Sequence, residues 1–283
     1  MKQTSSFLPK DFDPNTACVG IIAGQGRYPE LLREKIQHTG ARCVIVGYQN
    51  ETSEGFISLF DSHDCQVFKV GQVGKTVNAL KKMGATHAMM AGSITPRKLF
   101  NGLHPDLMAV QILARLKEKN AESIFSAIGD EIEKRGMTML DGRSFLDDHL
   151  ASPGLMTYQR SFKIDQETVA HGISIAKEVA RLDIGQGVVV NGGTVLAVEA
   201  FEGTDEMLKR AGSFQTKAPI FIKTVKPEQD YRYDVPVFGL KTIDVLKAHN
   251  IHHVALESGK TLMLDKATVL QAATDADIRI IGY

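Results

Sequence analysis

Between Cys18 and Gly92, short apolar runs alternate with stretches whose apolar residues recur at helical spacing. Val19-Gly-Ile-Ile-Ala23, Cys43-Val-Ile-Val46, Gln66-Val-Phe-Lys-Val70 and His87-Ala-Met-Met-Ala91 are each stopped by a glycine, at Gly24, Gly47, Gly71 and Gly92. Short, β-rich and glycine-bounded runs predict strands. Pro29 to Gln37 carries Leu31, Leu32 and Ile36, and Lys75 to Met83 carries Val77 and Leu80, so amphipathic helices are expected between some of the strands. Strand then helix, repeated, predicts a parallel sheet with crossover helices. Two more helices follow near Asp106 to Lys117 and Glu122 to Arg135, the second with Ile124, Ile128 and Ile132 at every fourth position.

The pattern changes in the second half. Asp147 to Tyr158, with Ala151-Ser-Pro-Gly154, interrupts both periodicities and reads as a linker. A helix from about Gln166 to Arg181 follows, with Asp165 as its N-cap and Val169, Ile173, Ala176 and Ala180 on one face. Val188-Val-Val190, Asn191-Gly-Gly193 and Thr194-Val-Leu-Ala-Val-Glu199 predict a hairpin. Ala255-Leu-Glu-Ser258, Gly259-Lys260 and Thr261-Leu-Met-Leu264 predict a second one. The expectation is an α/β protein of two domains: an extension (1–16), a Rossmann-like parallel-sheet domain (17–150), a linker (151–158) and a mixed α/β catalytic domain (159–283). A chain of 283 residues buries two modest cores more naturally than one large one.

Charge narrows the partners. Lys plus Arg and Asp plus Glu both total 33, so no net field draws the protein to nucleic acid, and any anion site is local. Cys18, Cys43 and Cys65 share no metal or redox spacing and read as small buried hydrophobes of a reducing cytosol. The first sixteen residues lack the apolar segment of a signal peptide, and no run approaches the roughly 20 apolar residues of a membrane span. A cytoplasmic protein is expected, with peripheral contact at the inner membrane and pairing into a homodimer both left open.

Several motifs carry candidate chemistry. Gly24-Gln25-Gly26-Arg27 sits where a first strand turns into a first helix, a position at which backbone N–H groups meet phosphate, but Pro29 replaces the third glycine of a dinucleotide fingerprint. Gly71-Gln-Val-Gly74-Lys75-Thr76 lacks the first glycine of a P-loop, because position 69 is Lys; a solvated first-turn lysine is the plainer reading of Lys75. Asp61-Ser-His63 opens like a two-metal phosphoesterase, yet the remaining ligands of such a site are missing.

Stronger signals lie further on. Arg181-Leu-Asp183-Ile-Gly-Gln186-Gly187 and Glu202-Gly-Thr204-Asp205 flank the first hairpin, whose pairing brings them to one edge. A helix cap at Thr204 alone would not gather Asp183, Gln186 and Gly203 there. Lys226-Pro-Glu-Gln229-Asp230-Tyr-Arg232-Tyr-Asp234-Val-Pro236 follows an apolar strand. If extended, it aims Asp230, Arg232 and Asp234 to one side, offering carboxylates to a divalent cation and an arginine to phosphate. A surface ladder of ion pairs is the alternative.

On these residues, together with Ala197-Val-Glu-Ala-Phe-Glu-Gly-Thr-Asp205 and Glu257-Ser-Gly259, the chain from about Val19 to its end resembles the UDP-2,3-diacylglucosamine pyrophosphatases of the LpxI type. The resemblance implies a two-domain, Mg²⁺-dependent hydrolase of lipid A biosynthesis. It would split UDP-2,3-diacylglucosamine into UMP and 2,3-diacylglucosamine 1-phosphate by attack of water on the β-phosphorus, with the lipid product held between the domains. Asp234 takes the place of the family's critical aspartate, and Asp234, Asp230 and Asp183 are the expected metal ligands. Expected substrate contacts are Gly24, Gln25, Gly26, Arg27, Gly74, Lys75, Gly92 and Ser93 at the uridine end, with Gln186, Thr204, Asp205, Lys226, Gln229 and Arg232 in the second half. Where relatives carry Gly-Asp-Asp, this chain reads Lys119-Asn-Ala-Glu122, which puts metal holding by that segment in doubt. A non-catalytic nucleotide-sugar or lipid-binding protein and a nucleotide-sugar transferase are the competing readings.

Overall fold

The computed structural model describes residues 5–94, 105–117, 120–157 and 164–283. Lys119, Tyr158 and the expected domain boundary at 159 lie outside them. The chain divides into two compact units: Met1–Asp147 with Asp230–Asp234, and Asp148–Gln229 with Val235–Tyr283.

In the first unit the strands are β1 (Cys18–Ala23), β2 (Arg42–Tyr48), β3 (Cys65–Phe68), β4 (His87–Ala91) and β5 (Thr138–Met139). All pair in parallel in the order β3-β2-β1-β4-β5. The helices are α1 (Tyr28–Thr39), α2 (Glu54–Ile57), α3 (Val73–Lys82), α4 (Leu107–Arg115) and α5 (Ala121–Glu133). Each residue of β1 is buried, as a strand covered on both faces requires. Ile22, Val44 and Val46 pack with Val77 and Leu80 of α3 and with Ile132 of α5. Strand order reverses between β1 and β4, the place where open parallel sheets receive ligands at their carboxyl ends. Residues 5–16 pack on this unit: Phe12 meets His87 and Phe145 edge-on, at 5.1 and 5.6 Å between ring centres.

The second unit holds β6 (Gly154–Leu155), α6 (Gln166–Arg181), β7 (Gly187–Asn191), β8 (Thr194–Val198), α7 (Thr204–Gly212) and β9 (Ile220–Lys223). It continues with β10 (Val237–Phe238), α8 (Leu240–Ala248), β11 (His253–Leu256), β12 (Leu262–Met263), α9 (Lys266–Asp275) and β13 (Arg279–Gly282). A six-stranded mixed sheet runs β6-β13-β11-β9-β7-β8. Alternation along β9 builds both faces. Phe221 faces a core with Leu208, Phe238, Leu246 and Val254, while Ile220 and Ile222 face Val169 and Ala176 of α6. Asp165 caps α6 as expected, accepting from the Glu167 N–H at 3.1 Å.

Two expectations change. The segment read as a linker adds β6 to the sheet edge, antiparallel to β13, with Ala151 buried in the core. The second hairpin does not form: both edges of β11 are taken by the parallel strands β9 and β13, so β12 pairs with β10 in a separate two-stranded sheet. The first hairpin forms as β7 and β8. Among the described residues, no helix is long and apolar enough to cross a membrane.

Candidate active site

Close backbone approach explains the glycines of the first unit. Gln25 and Ser93 form an isolated antiparallel bridge, N–H to carbonyl at 2.8 and 3.2 Å, joining the turns after β1 and β4. A Cβ on Gly24 would lie 2.4 Å from the Ser93 carbonyl oxygen, and one on Gly92 2.5 Å from that of Gln25. Gly92 (φ +88°) and Gly26 (φ +94°) also hold left-handed conformations that suit glycine. Gly24, Gln25, Gly26, Gly92 and Ser93 therefore form one structure. The Arg27 guanidinium folds onto Glu34 and Glu30 of α1, at 2.7 and 3.1 Å.

Gly74 and Lys75 occupy the first turn of α3, but an anion is already there. The Lys75 N–H donates to Asp106 Oδ2 at 3.1 Å, while Asp106 Oδ1 accepts from the Ala109 N–H at 3.0 Å and caps α4. One carboxylate thus serves two helix starts, and the phosphate position expected at Gly74-Lys75 is filled by the protein itself.

The Asp230–Asp234 segment is a turn rather than an extended strand, which corrects the expected alternation. The Tyr233 and Asp234 N–H groups both donate to the Asp230 carbonyl at 3.2 Å. The Asp230 carboxylate accepts from the N–H of Arg232 at 3.0 Å and from its guanidinium at 3.1 and 2.8 Å. Those hydrogen bonds hold its acid below the usual carboxylate range against burial. Asp230 and Arg232 are therefore committed to each other, with Arg232 also 3.3 Å from Glu133. Tyr233 is buried against α5, where Gly129 leaves space that a Cβ, 2.2 Å from the Tyr233 hydroxyl, would fill. Asp234 is exposed beside it.

In the second unit the two motifs read separately from sequence come together. Gln186 Nε2 donates to Gln229 Oε1 at 3.0 Å, and the Lys226 ammonium pairs with Asp183. Glycines permit this. A Cβ on Gly185 would sit 2.2 Å from the Glu199 carbonyl oxygen, and one on Gly187 2.6 Å from Glu199 Oε2. Thr204 does not cap α7, whose N-cap is Gly203; its hydroxyl donates to Glu199 Oε1 at 2.6 Å and accepts from the buried Lys223 ammonium at 3.3 Å. Asp205 pairs with Lys241 at 2.6 Å.

A second polar centre lies at the carboxyl ends of β9 and β11, around Glu257 of the Glu257-Ser-Gly259 motif, to which sequence reasoning assigned no role. Glu257, 7% exposed, accepts from Lys177 Nζ (2.5 Å), Lys260 Nζ (2.7 Å), Thr224 Oγ1 (2.7 Å) and the Val225 N–H (3.0 Å). Burial pushes its acid up, but these donors outweigh it and hold the group at about 2. The available signal was a charge at the end of an apolar run, shown by both Lys223 and Glu257.

Asp183 is engaged by Lys226 and Asp230 by Arg232, and no group of three or more His, Cys, Asp or Glu able to hold a metal occurs among the described residues. Magnesium commonly needs only one or two carboxylates beside substrate phosphates, and the exposed Asp234 offers a carboxylate of the type such a role uses. Asn120 caps α5, its side-chain oxygen accepting from the Ser123 N–H at 2.8 Å.

The fold and these clusters define a two-unit α/β protein whose polar groups gather at turns after buried strands. The model of the LpxI N-terminal domain matches residues 18–149 and that of the LpxI C-terminal domain residues 152–281. The chain belongs to the LpxI family. It is 28% identical over 275 residues to the UDP-2,3-diacylglucosamine pyrophosphatase LpxI of Caulobacter vibrioides, an alignment covering 93% of this chain and 96% of that one.

Proposed function

We propose that this protein hydrolyses the pyrophosphate of UDP-2,3-diacylglucosamine to UMP and 2,3-diacylglucosamine 1-phosphate, a step of lipid A biosynthesis. The observation that carries the reading is the match to the Caulobacter pyrophosphatase over nearly the full length of both chains. The fixed Asp230–Asp234 turn supports it locally, because a surface ladder of ion pairs would not be anchored by a buried tyrosine.

Asp234 is the reacting carboxylate, orienting water behind the β-phosphorus and taking its proton. Lys226 and Gln229, with Gln186 and Thr204, are assigned to the sugar phosphate, and the Gly24–Gly26 turn with Gly92–Ser93 to the uridine end. Donors fixed before reaction stabilise the charge that develops on phosphoryl oxygens more effectively than mobile water does. Magnesium, held by Asp234 and the substrate's phosphates, would supply further charge neutralisation. Peripheral contact with the membrane that holds the diacylated substrate belongs to the same reading.

The test is incubation with UDP-2,3-diacylglucosamine and Mg²⁺ in heavy-oxygen water, without an acceptor. UMP should appear, with the label in 2,3-diacylglucosamine 1-phosphate. Label in UMP would place attack at the α-phosphorus, and binding without UMP release would leave a non-catalytic protein.

A further inference from the structure

We propose that residues 5–16, which precede both LpxI domain matches, form a positioning element for the Asp230–Asp234 turn through a Phe7–Arg143–Tyr231 stack. The Arg143 guanidinium carbon lies 4.1 Å from the centre of the Phe7 ring and 3.5 Å from that of Tyr231. Its Nε and Nη2 meet the two oxygens of Asp141 at 3.0 and 2.6 Å, which fixes the guanidinium plane. Next to it, the Gly142 N–H donates to the Tyr231 carbonyl at 2.8 Å. Arg143 therefore grips the turn by face while Gly142 grips it by backbone.

The other end of the stack is pinned too. Ser6 donates to Asp147 Oδ1 from its N–H (2.8 Å) and its hydroxyl (2.5 Å), and the Ser144 hydroxyl donates to the Phe7 carbonyl at 3.2 Å. Phe12 anchors the segment again against His87 and Phe145. A short polar and aromatic stretch with no strand or helix of its own is thus tied down at several points, and its Phe7 ring lies over the residue that holds Tyr231. A cation between two ring faces is attracted by both, and the attraction grows as water is excluded. Tyr231 stands three residues before Asp234, in the same hydrogen-bonded turn, so loosening it spreads the directions in which the carboxylate points. Small misplacements of a reacting group cost rate rather than affinity.

The role assigned to Asp234 rests on the proposed hydrolysis; the clamp itself does not. Hydrogen exchange followed by mass spectrometry on Phe7→Ala tests the clamp, and UMP release tests its consequence. Peptides containing Tyr233 and Asp234 should exchange roughly tenfold faster, with kcat down by about the same factor, KM within twofold and the melting temperature nearly unchanged. Phe7→Tyr should restore both values, while Arg143→Lys, which keeps the charge but loses the flat fork, should behave like Phe7→Ala. If Phe7→Ala fails to fold, Phe7→Leu gives the same comparison. Wild-type exchange at Tyr233 and Asp234 in these variants overturns the clamp. Faster exchange with wild-type kcat overturns the positioning role. Absence of UMP release by the unmodified protein refutes the hydrolysis and leaves the exchange result standing.

Discussion

The two units hold their candidate chemistry in different ways. Outside the Asp230–Asp234 segment, in the first it is backbone: turns at Gly24 and Gly92 drawn so close that neither tolerates a Cβ, and helix N–H groups met by the protein's own Asp106. In the second it is charged side chains at strand ends, Glu257 with Lys177 and Lys260, and Lys223 with Thr204 and Glu199. A parallel sheet with glycine turns presents fixed dipoles at little desolvation cost. Buried charges instead require partners, and each lost partner strands another. Substitutions at the glycine turns of the first unit should therefore act through sterics, and those at the buried charges of the second through pH and charge.

The largest effect expected lies at the segment that the second half of the chain contributes to the first unit. Asp234→Asn should lower kcat by about 10³ or more while substrate still binds, since it removes a charge without changing size. Steady-state release of UMP beside an equilibrium binding measurement checks it. A variant with near-normal kcat would reject Asp234 as the reacting group. Chelation should abolish turnover and added Mg²⁺ restore it, which assays with EDTA will show.

Next come the glycines. Gly92→Ala combines a left-handed φ of +88° with a Cβ 2.5 Å from a carbonyl oxygen, and should cost roughly 2–4 kcal/mol. Gly187→Ala meets side chains rather than backbone, a Glu199 oxygen at 2.6 Å and the Phe221 ring at 3.1 Å, and should cost roughly 1–2 kcal/mol. Denaturant unfolding of both variants measures the gap. Equal losses would erase the proposed contrast between backbone and side-chain construction.

Much of this contrast was legible from sequence in the first unit and little of it in the second. β4 runs from His87 to Ala91 as read from periodicity, because strand and helix periods differ where neighbouring elements alternate. The β11–β12 hairpin was misread because Gly259-Lys260 looks like a tight turn, while competition for the edges of β11 is a tertiary matter. The turn at Asp230 was invisible for a related reason. Alternating charges suggest a strand, and only the hydrogen bonds from Arg232 to Asp230 show that the chain doubles back. Gln186 and Gln229 were each singled out, but their contact joins residues 43 apart in the chain.

Glu257 sharpens the electrostatic side of the comparison. Its acid is held at about 2, below the value of about 4.3 expected in the unfolded chain. The stabilisation is therefore full above the unfolded value and is lost as pH falls towards 2. Glu257→Gln should cost on the order of 3 kcal/mol at pH 7, and the gap to the parent should close as the pH is lowered through that window. A gap that is constant from pH 7 to 2.5 would show that the lysines around Glu257 do not depend on its charge.

The smallest effects return to the first unit, at α3. If Asp106 holds the anion position there, Lys75→Ala should leave KM within twofold and stability within about 0.5 kcal/mol, as for most exposed surface changes. Asp106→Ala should cost about 1–2 kcal/mol, a single shared cap lost from two helices. The two variants together decide what the Gly74-Lys75 turn is for. A phosphate bound at this helix start would have to displace Asp106, so Lys75→Ala would then raise KM severalfold, and Asp106→Ala would lower it by freeing the Lys75 N–H. With Asp106 as a structural cap, neither shift occurs, and the only trace of either substitution is the lower midpoint of Asp106→Ala in a denaturant titration.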